Sequence, residues 1–184
     1  MHSAPMEAKG LADAINKYVA DAKPLFAGIT IPEKLRAMAR DIEFGQYDAI
    51  GDLAALATKA PKDLQEAATA MYDKVKPMAE AGLERAKAAE TDGRKYAAYV
   101  EYGKIAAWFK KTEYEKTATA ALASLSKDKD VKDEIAARQM LDQAKGLLAS
   151  SKKSDKESAP SILAALQKKY PNTEAAKEAA KLGK

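Results

Sequence analysis

Apolar residues recur at steps of three and four along most of the chain, and the runs are separated by proline, glycine or short charged strings. Residues 6–23 set Leu11, Ile15, Tyr18, Val19 and Ala22 on one stripe, which Pro24 ends. Residues 24–32, Pro-Leu-Phe-Ala-Gly-Ile-Thr-Ile-Pro, break the helical period. Prolines bound this segment and β-branched residues fill it, so it reads as an extended connector that docks Phe26 and Ile31 on the helices. From Pro32 a helix carrying Leu35, Met38, Ala39 and Ile42 runs to Phe44-Gly45, and another runs through Ile50, Leu53 and Leu56 to Ala60-Pro61. Residues 62–90 keep one stripe through Leu64, Ala68, Met71, Val75, Met78, Gly82 and Ala86 although Pro77 lies inside it, which predicts a kinked helix rather than two. After Thr91-Asp92-Gly93, a helix places Tyr99, Tyr102, Ala106 and Phe109 on one face. Thr112-Glu113-Tyr114-Glu115 then fits a capping box, and its helix runs to about Ser126. The string Lys127-Asp128-Lys129-Asp130 precedes a long helix with Ala137, Leu141, Ala144 and Leu148 in phase. The polar, serine-rich stretch 150–158 reads as a mobile loop, and residues 160–169 and 173–182 as a closing helix pair.

A phrase inside this pattern occurs twice. Phe109-Lys110-Lys111-Thr112-Glu113 returns 61 positions later as Tyr170-Pro171-Asn172-Thr173-Glu174. Ala98, Tyr102, Ile105 and Ala118 around the first copy align with Ala159, Leu163, Leu166 and Ala179 around the second. Each copy reads as an apolar-faced helix, an aromatic at its end, a tight turn, and a new helix opening on threonine.

Composition agrees with an all-α chain. Alanine, the strongest helix former, fills 41 of the 184 positions, and aromatics make up only 7%. A chain of this length buries roughly 70% of its unfolded surface without staples. The lack of cysteine excludes thiolate nucleophiles, cysteine metal sites and dithiol redox chemistry. The net charge of +4 is uneven: residues 1–60 carry −1, residues 61–128 carry +1 and residues 129–184 carry +4. That C-terminal excess is far from the dense basic stripe that binds nucleic acid through counterion release. No run of 18 apolar residues exists to span a membrane, and the first ten residues have no hydrophobic core of a signal peptide, which implies that such a peptide is absent or already removed.

Candidates for chemistry are few. The single histidine, His2, stands at the terminus, so histidine-based acid–base work, a Ser/His triad and a histidine metal site lose their usual base or ligand. Asp128-Lys129-Asp130 with Asp133-Glu134 suggests a calcium loop, but Lys132, Asp133 and Gln139 stand where a ligand, the glycine and the closing glutamate belong. Two Ser-x-x-Lys strings lack their companion motifs, and no glycine-rich phosphate loop occurs. No catalytic residue, cofactor or metal is therefore expected. The one unusual cluster is aromatic: Tyr96, Tyr99, Tyr102, Trp108 and Phe109 lie within fourteen positions. Tyr99, Tyr102 and Phe109 fit the core of the repeat. Tyr96 and Trp108, off that stripe, are candidates to line a concave groove for a partner peptide, with Lys110 and Lys111 meeting its acidic groups.

Gly45-Gln46-Tyr47 through Leu53-Ala54 and Leu56-Ala57 to Ala60-Pro61 resembles the second half of a tetratricopeptide repeat, one residue shorter than the family spacing and with Gly51 interrupting the helix. Together with Tyr96-Ala97-Ala98-Tyr99, Phe109 to Tyr114, residues 127–132 and Lys169 to Ala176, the chain is similar, over roughly residues 32–182, to the tetratricopeptide-like helical tails of exported bacterial thioredoxin-like proteins. It departs from them in having no Cys-x-x-Cys and no room for a thioredoxin fold, so any redox activity would belong to a partner. The resemblance implies an all-α fold of antiparallel helix-turn-helix repeats, a tetratricopeptide-like α-solenoid of about seven to nine helices. Residues 1–31 would form an N-terminal helix and connector, and residues 32–184 the repeat domain. It also implies export or a periplasmic location, and a non-catalytic scaffold that binds a protein or peptide, such as a thioredoxin-like partner. The alternative from the residues alone is a basic amphipathic surface, chiefly after residue 129, on anionic lipid or nucleic acid.

Overall fold

The computed structural model describes residues 24–182, and these are all-α. They form α1 (Glu33–Glu43), a 3-10 turn (Tyr47–Ala49), α2 (Ile50–Lys59), α3 (Lys62–Thr91), α4 (Lys95–Trp108), α5 (Glu113–Leu125), α6 (Lys129–Ala149), α7 (Lys153–Lys169) and α8 (Glu174–Leu182). The helix expected over residues 6–23 lies outside the described residues. The chain divides into two compact units, Met1–Pro77 and Met78–Lys184. The division falls at Pro77, inside an α3 that is not split into two helices, rather than at the connector 24–32.

In the first unit the connector is less extended than expected. Two turns, from the Ala27 amide to the Pro24 carbonyl and from the Ile29 amide to the Phe26 carbonyl, both 3.1 Å, fold residues 24–29 back. Phe26 is buried and its amide donates to the Glu43 carboxylate at 3.2 Å, which ties the connector to the end of α1. Ile31 is only half-buried. α1 ends in a Schellman motif: Gly45, with φ 83, donates to the Ile42 carbonyl, and Gln46 donates to the Asp41 carbonyl. Glycine adopts this left-handed conformation without a Cβ clash. Gly45 thus stops a helix, and the next starts on the 3-10 turn at Tyr47. Gly51 does not interrupt α2; it is buried in its first turn. Leu35, Ile42, Ile50, Leu53, Met71 and Val75 form the largest fully buried side chains of this unit.

In the second unit α4 with α5, and α7 with α8, form two helical hairpins, and α6 packs on α4, α7 and α8. The repeated phrase is visible in their turns. The Thr112 amide bonds the Phe109 carbonyl at 3.3 Å and its hydroxyl donates to the same carbonyl at 2.6 Å. Thr173 does the same to Tyr170 at 3.2 and 2.8 Å. Each threonine oxygen also caps the new helix, accepting from the Glu115 amide in one copy and the Ala176 amide in the other. The aligned pairs Ala98 and Ala159, Tyr102 and Leu163, Ile105 and Leu166, and Ala118 and Ala179 are all buried.

The copies differ in how the remaining amides are satisfied. Glu115 reaches back to the Lys111 amide at 2.6 Å, one residue beyond the reach of an ordinary capping box. Alanine holds the equivalent place in the second copy, Ala176. There the Glu134 carboxylate arrives from α6, accepting from the Glu174 amide at 2.7 Å and the Ala175 amide at 3.2 Å. Glu134 is only 5% exposed and is also paired with Arg138 Nε at 2.8 Å. A charge at a helix N-terminus complements the dipole, and here it joins two helices as well.

The serine-rich stretch is not a loop over 150–158. Only residues 150–152 are non-helical, and α7 starts at Lys153. The Ser150 hydroxyl accepts from the Lys152 amide and donates to Asp155, which fixes the break. Ala159, one turn before Leu163, is buried and anchors the early part of α7 despite Pro160.

Replacing Glu134 with alanine removes two charge-assisted bonds and leaves Arg138 beside an apolar group, so we expect a loss of about 2–4 kcal/mol in urea unfolding with an unchanged m-value. A loss under about 0.5 kcal/mol would show that this carboxylate does not hold α8.

Candidate functional site

Tyr96 stands one residue into α4, beside the last turns of α3 and against α6. α3 ends in a second Schellman motif, in which Gly93 (φ 75) donates to the Glu90 carbonyl and Arg94 to the Ala89 carbonyl at 2.8 Å. This fixes where α4 begins. Asp128 then holds α4 to α6: it caps α6 by accepting from the Asp130 and Val131 amides, and its other oxygen lies 2.6 Å from the Lys95 ammonium. The same Lys95 approaches Asp130 at 3.7 Å.

Two clefts meet at this point. One, of about 670 Å³, has Ala88, Ala89, Ala97, Val100 and Tyr96 along it, with Arg85, Arg94, Arg138 and Glu101 around them. The other, of about 600 Å³, runs over the start of α6 and the turn between α7 and α8, and mixes Lys129, Asp130, Asp133, Lys169 and Glu174 with Tyr170 and Pro171. Arg94, Tyr96, Ala97 and Arg138 line both. The Arg138 guanidinium sits 5.1 Å from the Tyr96 ring centroid, and Glu134 holds its Nε, so the wall between the clefts is anchored from two sides. Tyr99 is half-buried and stacks on Tyr96 at 6.4 Å between centroids, whereas Tyr102 and Phe109 are buried in the repeat core.

The structure separates the four residues singled out from the sequence. Tyr96 and Trp108 lie near opposite ends of α4, twelve residues and so about 18 Å apart along its axis. Lys110 and Lys111 are exposed in the turn after Trp108, where Lys111 has φ 65 and donates its amide to Glu115. Tyr96 alone lines the clefts. The residues that join it, Val100, Arg85, Arg94 and Arg138, come from three helices and the α3–α4 turn, and only the apolar step from Tyr96 to Val100 was a local signal.

The second repeat copy shows what the hairpin itself requires. The positions aligned with Tyr96, Ala97 and Val100 are Glu157, Ser158 and Ser161, all exposed. The α7 hairpin closes without apolar groups there, while in α4 Tyr96 and Ala97 are half-buried beside α3 and α6. Their presence in α4, with Val100 36% exposed, belongs to the cleft.

Comparison with known protein families, with characterised proteins and with solved structures finds no match for this chain.

Ion pairs set the electrostatics. Lys104 first and Arg85 second hold Glu101 below the usual carboxylate range against the opposing effect of burial. Lys95 holds Asp128 below its ordinary value, and the Asp130 and Val131 amides add to this; Asp128 in turn raises Lys95. The Asp128 contribution to stability is thus complete above the ordinary carboxyl range and is lost as pH falls through its lowered value. The Lys95 contribution is complete below the ordinary lysine range and is lost as pH rises through its raised value. We expect the urea midpoints of wild type and Asp128→Asn to differ by a constant amount from about pH 5 to 9 and to converge below about pH 3. A difference that persists undiminished at the acid end would overturn this assignment.

Proposed function

We propose that this chain is a non-catalytic helical module that binds a segment of another protein in the cleft at Tyr96 and Val100. The observation that carries the reading is the contrast between the copies: the same face is apolar and cleft-lining in α4, and polar in α7. Small residues at Ala88, Ala89 and Ala97 leave room for an inserted side chain, and an aromatic anchored by Arg138 is already ordered before a partner arrives. The matched turns and matched buried pairs support a repeat architecture related to the tetratricopeptide class, and the resemblance named above makes a thioredoxin-like protein the first partner to test.

The basic-surface reading has less support. Among the described residues, Lys129 pairs with Asp133, Lys145 with Glu178, Lys153 with Glu157 and Lys177 with Glu174, so these C-terminal lysines are each met by a local carboxylate. No described helix is long and apolar enough to cross a membrane.

The test is a crosslinking pull-down from source-cell extract with the full chain, at low and high salt. A protein partner recovered at both salts, with recovery falling about tenfold or more for Val100→Asp and for Tyr96→Ala at unchanged helical circular dichroism, is expected. Equal recovery by Val100→Asp would end the cleft reading. Recovery of only lipid or nucleic acid, lost at high salt, would favour the basic surface.

A further inference from the structure

We infer that the Tyr96–Val100 cleft takes an acidic segment of its protein partner, with one aliphatic side chain inserted between flanking Asp or Glu residues. This rests on the reading of that cleft as the binding site and specifies what it selects.

The argument is one of charge complementarity. Three guanidinium groups, those of Arg85, Arg94 and Arg138, line the cleft, against one carboxylate, Glu101. Each has a carboxylate partner already; Arg138 stays with Glu134 on Tyr96 and adds its charge to the cleft, while the partners of Arg85 and Arg94 keep another source of stabilisation when those arginines turn to a ligand. Glu101 lies 3.2 Å from Arg85 but 2.5 Å from the Lys104 ammonium. Glu134 accepts from two amides of α8 besides pairing with Arg138. Asp92, 2.9 Å from Arg94, is 59% exposed and so is solvated by water. Arg85 and Arg94 are themselves 63% and 62% exposed, and surface pairs of this kind are worth little, so exchanging them for a ligand's carboxylate costs little. Guanidinium also offers paired donors that match a carboxylate.

The apolar floor separates this ligand from other anions. Val100 and Ala97 give nothing to a free phosphate, and three arginines gathered around one floor are not the extended stripe that follows a nucleic-acid backbone. The neighbouring cleft has no such bias, since its basic and acidic groups nearly balance.

The test is fluorescence anisotropy on the full chain with three dye-labelled peptides that share a central leucine and differ only in flanks of Glu, Gln or Lys. The Glu peptide is expected to bind tightest, the Gln peptide about tenfold more weakly, and the Lys peptide not measurably. High salt should weaken the Glu peptide without abolishing its binding. Arg85→Glu/Arg94→Glu, at two exposed positions, should reverse the order of the Glu and Lys peptides. Equal binding of the Glu and Gln peptides, tighter binding of the Lys peptide to wild type, or no binding of any peptide would overturn the acidic assignment. The cleft reading itself falls only on the separate result that Val100→Asp leaves partner recovery unchanged.

Discussion

The rest of the structure depends on how alanine packs. Among the described residues, fourteen of the thirty buried apolar ones are alanine, and a buried methyl removes far less surface from water than a leucine does. Such a core is stable only if helices come close enough for their backbones and methyl groups to touch. Gly82 shows how close: a Cβ there would lie 3.1 Å from Ile105 Cδ1, so the Ile105 side chain of α4 packs directly on the backbone of α3. Packing of this kind fixes spacing well and fixes sliding poorly, because small side chains interlock little. The structure supplies the missing register through a few polar contacts at helix ends.

Those contacts define the candidate site. Asp128 caps α6 and holds Lys95 at the start of α4; Glu134 leaves α6 to cap α8 and holds Arg138 over Tyr96. Asp128 is the N-cap of α6 and Glu134 lies in its second turn, and each contacts a different hairpin. α6 thus sets the position of α4 and α8 independently, and the Tyr96 ring stands where the two settings meet.

Much of this was legible in the chain and some was not. Helix ends were readable at Phe44-Gly45, at Asp92-Gly93 and at both threonines, since capping is chemistry within four or five residues. The repeated phrase marked matching buried positions correctly, because burial follows the 3.6-residue period. The stretch 150–158 misled because serine and aspartate favour turns and caps locally, while Ala159, Leu163 and Leu166 decide its state from further along. Glu134 was read only as part of a poor calcium loop. Its real partners, the amides of Glu174 and Ala175, lie 40 and 41 residues away, and no local period encodes them. Tyr96 and Trp108, joined in one sequence cluster, stand apart because an aromatic cluster compact in sequence becomes a line about 18 Å long on a helix.

The divergence between the two copies locates function better than their likeness does. Positions common to both, the threonine turns and the alanine and leucine stripes, are what a hairpin needs in order to close. Where the copies part, one change is structural: Glu115 in the first copy is replaced by Ala176 in the second, and Glu134 takes over the amides so released. The other follows the surroundings: Tyr96 and Ala97 are half-buried beside α3 and α6, whereas Glu157, Ser158 and Ser161 are exposed in the second hairpin. The structural divergence nonetheless reaches the other, because the carboxylate that compensates for Ala176 also pairs with the arginine that rests on Tyr96. The Tyr96–Val100 face thus combines partly exposed apolar groups with an arginine held by a buried carboxylate of the neighbouring helix, and the proposed binding site rests on that combination.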